Sequence, residues 1–489
     1  MSLSDFDLWY RTRYRRTSSA LTSTTFILSD LMAVLLSFAW GFFWVRVYGF
    51  IQQTSIPGYS TINAKSFITY WPYLLAFILI FQILRLYPGI SLAPSEELRR
   101  ITIGSVMAYG GIILSRYIEK NAWDSINSAF VISCIFSTVI ILTARSVCHW
   151  VLHKTQLGGI PTVIYGSGNT GKLVARCLKD SLRSGYIPVL LLDDNPLGDD
   201  EYLGIPIIHD TGIGPEIVKR YRIRMAIVAM PRLEAKKLKH LINTSVSAFR
   251  YNIIIPNFYT FSTIWMSVRD FNGVLGIDTS NKFNFTWNMA IKRAQDLSIT
   301  ILGGLVILPF LLIIALLIKI TSPGPVFYKH KRIGQNGKYF YAYKFRSMVK
   351  NAEERLIKLL ASDYDLRMEW EKTHKLQNDP RITAIGKFLR RTSFDEFPQL
   401  INILKGDMSL VGPRPIVDQE INKYGEDYNR IFSIKPGLTG LWQVSGRSDT
   451  EYEDRVSYDA YYLQSWSVWL DLWIIFKTFG VILTGKGAY

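Results

Sequence analysis

Long apolar runs separated by short polar segments occupy the first third of the chain. The runs lie near residues 22–46, 68–87, 101–117 and 128–151. A helix needs ~20 residues to cross the ~30 Å hydrocarbon core of a bilayer, so we predict four membrane-spanning helices here. The third run is the weakest of these predictions, because it is short and contains Gly104, Gly110 and Gly111. Asp30 falls within the first run, where a carboxylate is either a functional group or one that reaches the interface.

Basic residues are concentrated on one side of the predicted spans. The poorer side carries only Arg46, Lys65, Arg116 and Lys120. The richer side carries Arg11, Arg13, Arg15, Arg16, Arg85, Arg99, Arg100, Arg145 and Lys154. Because lysine and arginine collect on cytoplasmic flanks, we expect the N-terminus and the chain after residue 151 to lie in the cytoplasm.

Between residues 155 and 285 the pattern changes to short apolar strands separated by helical runs. We predict strands at 161–165, 187–192, 226–229 and 251–255. A glycine loop follows the first strand (Gly166, Gly168 and Gly171), and Asp193 follows the second. This order matches the dinucleotide-binding fingerprint of a Rossmann-like α/β domain, so these four residues are candidate cofactor contacts. The domain can equally serve as a spacer or in oligomerisation.

A fifth apolar run, residues 297–318, has two features that argue against a simple crossing. Pro309 lies in its middle, where a proline removes a helix hydrogen bond and bends the helix. Both flanks are basic, with Lys292 and Arg293 before the run and Lys319, Lys329, Lys331 and Arg332 after it. A crossing would place one basic flank outside. We therefore predict a re-entrant membrane helix over 296–319 in preference to a kinked span.

Composition adds a constraint on the partners of the chain. Its 489 residues are 49% hydrophobic and 14% aromatic, and the formal charge is +17. This charge indicates an anionic partner such as phospholipid headgroups or phosphorylated substrates, although part of it reflects the cytoplasmic flanks. No nucleic-acid-binding motif is recognisable, so we expect no nucleic-acid partner. Three cysteines (Cys134, Cys148 and Cys177) are too few for a disulfide framework or a zinc site.

Two adjacent carboxylates, Asp395 and Glu396, follow the basic pair Arg390 and Arg391. One use for such a pair is a divalent metal, since Mg²⁺ takes carboxylate oxygens together with substrate phosphates. Another is nucleophilic attack on phosphorus by one carboxylate. A structural alternative is a helix capping box running from Ser393 to Glu396. The residues alone leave these readings open.

Further basic residues surround this pair in the sequence. Arg414 stands between two prolines that fix its backbone, which suits a guanidinium held toward a phosphate. Lys344 and Arg346 follow a predicted strand, and Arg447 follows a glycine-rich segment. Any one of these could be a surface residue. Together they favour a site for a polyphosphate.

Four collinear motifs carry a resemblance to a known family. They are KFRSM from Lys344, TSFDEFPQ from Thr392, KGDMSLVGPRP from Lys405 and KPGLTGLWQV from Lys435. Over about residues 291–489 the chain resembles the bacterial polyprenyl-phosphate hexose-1-phosphate transferases, which are monotopic phosphoglycosyl transferases. The resemblance implies transfer of hexose-1-phosphate, with galactose or glucose as the hexose, from a UDP-hexose to undecaprenyl phosphate. It also implies Asp395 as nucleophile, Glu396 as a ligand of Mg²⁺, and phosphate binding by Arg390, Arg414, Lys344, Arg346 and Arg447.

The predicted architecture has three domains, as in the large members of that family. A four-helix transmembrane domain (1–154) precedes the Rossmann-like domain (155–285) and an α-rich catalytic domain (286–489) with the re-entrant helix. We expect a multi-pass protein of the bacterial inner membrane that has its catalytic domain in the cytoplasm, begins a surface polysaccharide, and possesses the capacity to form a homodimer. The alternative is a membrane-anchored nucleotide-binding sensor without catalysis. A nucleotide-sugar dehydratase fails because it needs a Tyr-x-x-x-Lys pair, which the sequence lacks.

Overall fold

The computed structural model divides into two compact units, residues 1–261 and 262–489. It describes residues 6–7, 9–10, 19–51, 71–87, 89, 92–120, 123, 125–155, 159–180, 185–195, 200–255, 267–271, 274–278, 283, 286–362, 367–368, 376, 379–445 and 452–484. The predicted boundaries at 154 and 285 stay predictions. Each unit is considered by itself below.

Apolar helices begin the first unit: α1 (Ser19–Ile51), α2 (Trp71–Ile83), α3 (Pro94–Lys120) and α4 (Ser125–Thr155). Four apolar helices are thus present where four were predicted. The third, taken as the weakest, is long enough to cross a membrane, whereas α2 is shorter over its described residues. Glycine in α3 has a packing reason, because a Cβ on Gly104 would lie 2.7 Å from the ring of Phe81. The absent side chain lets α2 and α3 approach closely.

A buried ion pair ties these helices together. Arg145 of α4 donates from Nε and Nη2 to the two carboxylate oxygens of Asp30 in α1, at 2.9 and 2.6 Å. Its Nη1 donates to Glu97 of α3 at 3.1 Å, and the hydroxyl of Tyr87 donates to Asp30 at 2.8 Å. A charge in an apolar bundle needs such partners. Asp30 is therefore a packing residue that joins three helices.

The N-terminal segment packs on the α/β part of the same unit. Phe6 is fully buried, and its ring lies 5.0 Å from that of Tyr221. Tyr10 lies 5.3 Å from the same ring, and both residues join the hydrophobic cluster of the sheet. The chain ahead of α1 and the α/β part after α4 therefore lie on one side of any membrane that the helices cross.

A six-stranded mixed sheet forms the α/β part. Its strands are β1 (Ile160–Tyr165), β2 (Tyr186–Leu192), β3 (Glu201–Tyr202), β4 (Ile205–Ile208), β5 (Met225–Val228) and β6 (Tyr251–Ile254). They lie in the order β3-β4-β2-β1-β5-β6 and are parallel except for the β3–β4 pair at one edge. Helices α5 (Asn169–Asp180), α6 (Gly214–Tyr221) and α7 (Ala235–Thr244) connect them. The central strands are apolar throughout because both faces of the sheet are covered.

The second unit is built around the long helix α8 (Thr286–Thr321), which continues through Pro309. The hairpin β7 (Ser267–Phe271) and β8 (Val274–Asp278) precedes it, and the hairpin β9 (Phe327–Ile333) and β10 (Tyr339–Phe345) follows. Strands β11 (Ser409–Val411) and β12 (Gly437–Thr439) pair in parallel. The later helices are α9 (Ala352–Ser362), α10 (Ala384–Thr392), α11 (Leu400–Lys405), α12 (Ile421–Tyr424), α13 (Tyr428–Ile431), α14 (Leu441–Ser445), α15 (Tyr452–Ser465) and α16 (Val468–Thr484).

Buried polar contacts fasten the start of α8 to the rest of this unit. Lys292 Nζ lies 2.8 Å from Asp296 and 2.9 Å from Asp471 of α16. Asp296 also accepts from the hydroxyl of Ser409 at 2.7 Å, and Tyr462 donates to Asp471 at 2.7 Å. Every member has a partner, which is the condition for a buried polar network to stabilise one arrangement. This network fixes α8 before its apolar part begins.

Candidate active site

A short 3₁₀ helix, Phe394–Gln399, carries Asp395 and Glu396 between α10 and α11. Ser393 ends α10 in the left-handed region, with φ at 58°, and its side chain makes no capping hydrogen bond. The capping-box alternative is therefore wrong: Ser393 turns the chain, and Glu396 is engaged elsewhere. The ring of Phe394 lies 5.3 Å from that of Phe310 in α8, which anchors the 3₁₀ helix to the apolar helix.

Lys344 of β10 reaches both carboxylates. Its Nζ lies 2.6 Å from Glu396 Oε1 and 3.9 Å from Asp395 Oδ2. The antiparallel register pairs Lys344 with Tyr328 of β9, so the hairpin holds the lysine in place. The structure thus brings Lys344 together with two carboxylates that lie about fifty positions further along the sequence, as the polyphosphate hypothesis requires.

The two carboxylates have different electrostatic environments. Burial raises the pKa of Asp395 to about 6; Glu396 adds to this rise, whereas Lys344 and Arg390 oppose it. Burial also opposes ionisation of Glu396, but Lys344, Arg414 and Arg332 outweigh it and keep the pKa of Glu396 below its ordinary value. Adjacent acids with pKa values moved in opposite directions are typical of groups with separate roles.

Arg390 and Arg346 occupy different places, although the sequence suggested the same role for both. The charge of Arg390 lowers the pKa of Asp395, and its Nε donates to the hydroxyl of Ser347 at 3.0 Å. Arg346 is buried and turns away, donating to the carbonyl oxygens of Ser322 and Pro323 at 2.6 and 3.2 Å. It therefore secures the turn after α8.

The charge of Arg414 lowers the pKa of Glu396. A second arginine, which was not predicted from the sequence, has the same effect. Arg332 of β9 acts electrostatically on both Glu396 and Arg414. Strand alternation could have revealed it, because Arg332 faces the same way as Tyr328, the partner of Lys344. Arg447, the last predicted phosphate contact, lies outside the described residues.

The charges of this site suit an anionic ligand. Among its described residues, four cations (Lys344, Arg332, Arg390 and Arg414) act on two carboxylates. A diphosphate would offset the excess. The described part of the chain has no group of three potential metal ligands. One or two carboxylates suffice for a Mg²⁺ ion that shares its remaining positions with phosphate and water, so Asp395 and Glu396 fit that ion.

The glycine loop of the first unit has a packing function and an open side. A Cβ on Gly171 would collide with the carbonyl of Gly166, whereas the space around Gly168 is open. Asp193, a candidate cofactor contact, accepts at Oδ2 from Ser167 N and Oγ, at 2.7 and 2.9 Å. These hydrogen bonds hold the glycine loop at Ser167. A cavity of about 1070 Å³ lies here, with Arg232, Lys236, Lys237 and His240 on its wall.

Comparison with known proteins decides the family. Residues 287–485 match the family described as bacterial sugar transferase. Over 371 residues the chain is 38% identical to undecaprenyl-phosphate galactose phosphotransferase of Salmonella typhimurium, which covers 75% of this chain and 77% of that protein. The chain belongs to the bacterial sugar transferases. The resemblance to polyprenyl-phosphate hexose-1-phosphate transferases is thus confirmed.

Two other relatives match shorter parts of this sugar transferase. The chain is 44% identical over 198 residues to exopolysaccharide production protein ExoY of Sinorhizobium fredii, a match that spans 40% of this chain and 88% of that protein. It is also 35% identical over 282 residues to UDP-glucose:undecaprenyl-phosphate glucose-1-phosphate transferase of Escherichia coli, covering 56% of this chain and 58% of that protein. Residues 90–249 match a family described as CoA-binding domain.

The different placements of Arg346 and Arg390 give a test for this sugar transferase. We expect Arg346→Ala to lower the unfolding free energy by about 2 kcal/mol or more, because the carbonyls of Ser322 and Pro323 lose charged donors. Arg390→Ala should leave stability nearly unchanged and reduce transferase activity at least about tenfold. Thermal unfolding in detergent, measured beside the activity, separates the two effects. A stable but inactive Arg346→Ala protein would return Arg346 to the phosphate-binding residues.

Proposed function

We propose that this protein transfers hexose-1-phosphate from a UDP-hexose to undecaprenyl phosphate, giving undecaprenyl-diphosphate-hexose and UMP. The observation that carries the proposal is the pair Asp395 and Glu396, held by Lys344 among arginines in a chain of the sugar transferase family. Relatives named for undecaprenyl phosphate and for galactose or glucose transfer support both substrates. The hexose is galactose or glucose.

The reaction proceeds in two displacements at one phosphorus. A carboxylate oxygen of Asp395 attacks the β-phosphorus of the UDP-hexose, and the bond to the oxygen bridging the two phosphates breaks, releasing UMP. A phosphate oxygen of the lipid then attacks the same phosphorus and breaks its bond to Asp395. Burial supports this role of Asp395, because a poorly solvated carboxylate with a pKa of about 6 is still mainly ionised at pH 7.

Neighbouring side chains bind and orient the diphosphate. Lys344 and Arg390 offset charge near Asp395, and Arg414 does so near Glu396. Glu396, ionised and next to the nucleophile, would hold Mg²⁺, which on binding supplies positive charge to the phosphate oxygens. Without these cations, two carboxylates would repel a substrate that is itself an anion.

The contacts of α8 support re-entry into the membrane. At its start, Arg293 donates to the carbonyls of Ile403 and Leu404 at 2.6 and 2.9 Å. Near its end, Ile314 and Ile318 pack with Leu389 and Phe345, in the same unit. Only 11% of its apolar stretch is buried. A helix exposed to lipid in its middle and tied at both ends to one catalytic unit enters and leaves on the same face.

The cytoplasmic face of the bacterial inner membrane is the proposed place of this reaction. The N-terminal segment and the α/β part lie on one side, and the basic flanks assign that side to the cytoplasm. UDP-hexose is soluble there, and the lipid phosphate reaches the site from the bilayer. The product would begin an O-antigen, a capsule or an exopolysaccharide. A homodimer stays a prediction.

For the α/β part we propose a phosphate-bearing nucleotide ligand such as coenzyme A. Asp193, Asp194 and Asp210 all accept hydrogen bonds from backbone N–H groups, so the carboxylates at the acidic edge of the cavity already have partners. The basic wall formed by Arg232, Lys236, Lys237 and His240 faces the same cavity. The phosphates would bind to this wall, whereas a Rossmann-type dinucleotide would place them on the glycine loop.

The transferase proposal predicts a burst of UMP in the absence of lipid. Detergent-solubilised protein with Mg²⁺ and the correct UDP-hexose should release about one UMP per active site, because the phosphosugar stays on Asp395. Asp395→Asn should release none, and Glu396→Gln should slow the burst by about a hundredfold or more. The exposed Asp418→Asn variant is the matched control and should behave as wild type. No UMP from any UDP-hexose, with or without undecaprenyl phosphate, would favour the non-catalytic sensor instead.

The raised pKa of Asp395 predicts an acidic limit to the burst rate. Only the carboxylate attacks, so the rate should fall below pH of about 6, approaching tenfold per pH unit. Lys344 lowers the pKa of Asp395, so Lys344→Met should move this limit to higher pH. The exposed Lys338→Met variant should leave it in place. A wild-type rate that is flat between pH 7 and 4 would exclude Asp395 as the titrating nucleophile.

The cavity of the α/β part predicts stabilisation by its ligand. Coenzyme A at about 100 times its Kd should raise the free energy of unfolding of this part by about 2.7 kcal/mol. Replacing Lys236 and Lys237 together with alanine should remove the shift in thermal unfolding, whereas Lys219→Ala on α6 should keep it. If neither coenzyme A, NAD nor UDP shifts the transition of the wild-type protein, the spacer or oligomerisation role is the better reading.

A further inference from the structure

One face of the β9–β10 hairpin is directed toward the carboxylates. Alternate residues of a strand share a face, so His330 and Arg332 lie on the same side as Tyr328. Tyr328 pairs with Lys344, and His330 pairs with Ala342. The lysine that contacts Glu396 thus shares its face with a histidine and an arginine to which the reaction above gives no role.

His330 and Arg332 are in direct contact. The distance between His330 Nε2 and Arg332 Nη1 is 3.0 Å. A guanidinium has only donors, so the imidazole must accept at Nε2 and carry its proton on Nδ1. Burial, aided by the charges of Arg332 and Lys344, lowers the pKa of His330 to about 4. The ring is therefore neutral at pH 7 and able to accept this hydrogen bond.

The surroundings of Arg332 are unusual for a structural arginine. Burial and the neighbouring Arg414 both disfavour its charge, and together they lower its pKa despite Glu420 and Glu396. Two guanidinium groups that interact in this way repel each other, and an anion between them would offset the repulsion. Glu396 supplies part of that negative charge but is already 2.6 Å from Lys344. A phosphate bound here would supply the rest.

We propose that Arg332 binds a phosphate oxygen of the UDP-hexose, and that His330 is the positioning residue that orients its guanidinium. The neutral imidazole fixes Nη1 and leaves the other N–H donors of Arg332 for the phosphate. This rests on the proposed function, since it assigns Arg332 to the diphosphate that reaches Asp395 in the first displacement. A lipid phosphate has the same chemistry, so the test isolates the step that precedes the lipid.

The experiment measures the UDP-hexose concentration that half-saturates the UMP burst without undecaprenyl phosphate. Arg332→Ala should raise it about tenfold or more, as expected for a lost hydrogen bond to a charged group. His330→Leu, which fills similar space without an acceptor, should raise it several-fold, with the maximal burst rate changed less. His330→Gln supplies an amide oxygen and should stay within about twofold of wild type. Lys331→Leu, on the opposite face of the same strand, is the matched control.

Non-additivity separates positioning from a structural role. If His330 acts through Arg332, the double variant should behave as Arg332→Ala alone. Thermal unfolding of each variant should stay close to that of wild type. Additive effects, failure of His330→Gln to restore binding, or an unchanged half-saturation in Arg332→Ala would overturn the proposal, as would a defect confined to the lipid step. Because wild type must release UMP in every case, failure of the transferase function itself would be seen separately.

Discussion

The ion pair between Lys344 and Glu396 is the contact on which the site depends. At 2.6 Å this ion pair helps to keep Glu396 ionised, although the burial of Glu396 opposes its ionisation. Burial opposes the ionisation of both acids, but at Asp395 the cations do not outweigh it and the pKa rises to about 6. The uneven distribution of cations therefore gives two adjacent and chemically similar acids different properties, which is what separate roles in phosphate chemistry require. The register of the β9–β10 hairpin is important for this reason, because it sets the position of Lys344 relative to the two carboxylates.

Contacts of the apolar helix α8 connect it to the site. Phe310 lies beside Pro309 in α8, and its ring touches that of Phe394, the residue before Asp395. Lys292 and Asp296 fasten the start of the helix by buried polar contacts, and Arg346 fastens the turn at its end. Asp395, the proposed nucleophile, thus follows a residue that packs on a helix held at both ends. A reaction between a soluble nucleotide sugar and a lipid phosphate needs such a fixed distance between its site and the bilayer.

Local patterns predicted the elements well and the contacts less well. The strands ending in Tyr165 and Leu192 and the apolar helices follow from short-range periodicity, which is a property of neighbouring residues. Strands β3 and β4 are too short for the order of their apolar and polar residues to predict them. Arg346 was expected at phosphates because its motif is basic, but its partners, the carbonyls of Ser322 and Pro323, are visible only in the folded chain. Arg332 was missed because alternation along β9 has to be combined with the register between β9 and β10, which places Lys344 on the same face.

The glycine loop shows why a fingerprint predicts a fold better than a ligand. Gly166 and Gly171 are explained by packing, because a side chain on Gly171 would collide with the backbone of Gly166. That constraint exists with or without a cofactor. Asp193 could have bound a ribose, but both oxygens of its carboxylate accept hydrogen bonds from nearby backbone or hydroxyl groups, at Ser167 and Asn195. The nucleotide ligand proposed for this part would gain its affinity from the basic wall of the cavity, whose residues the fingerprint does not include.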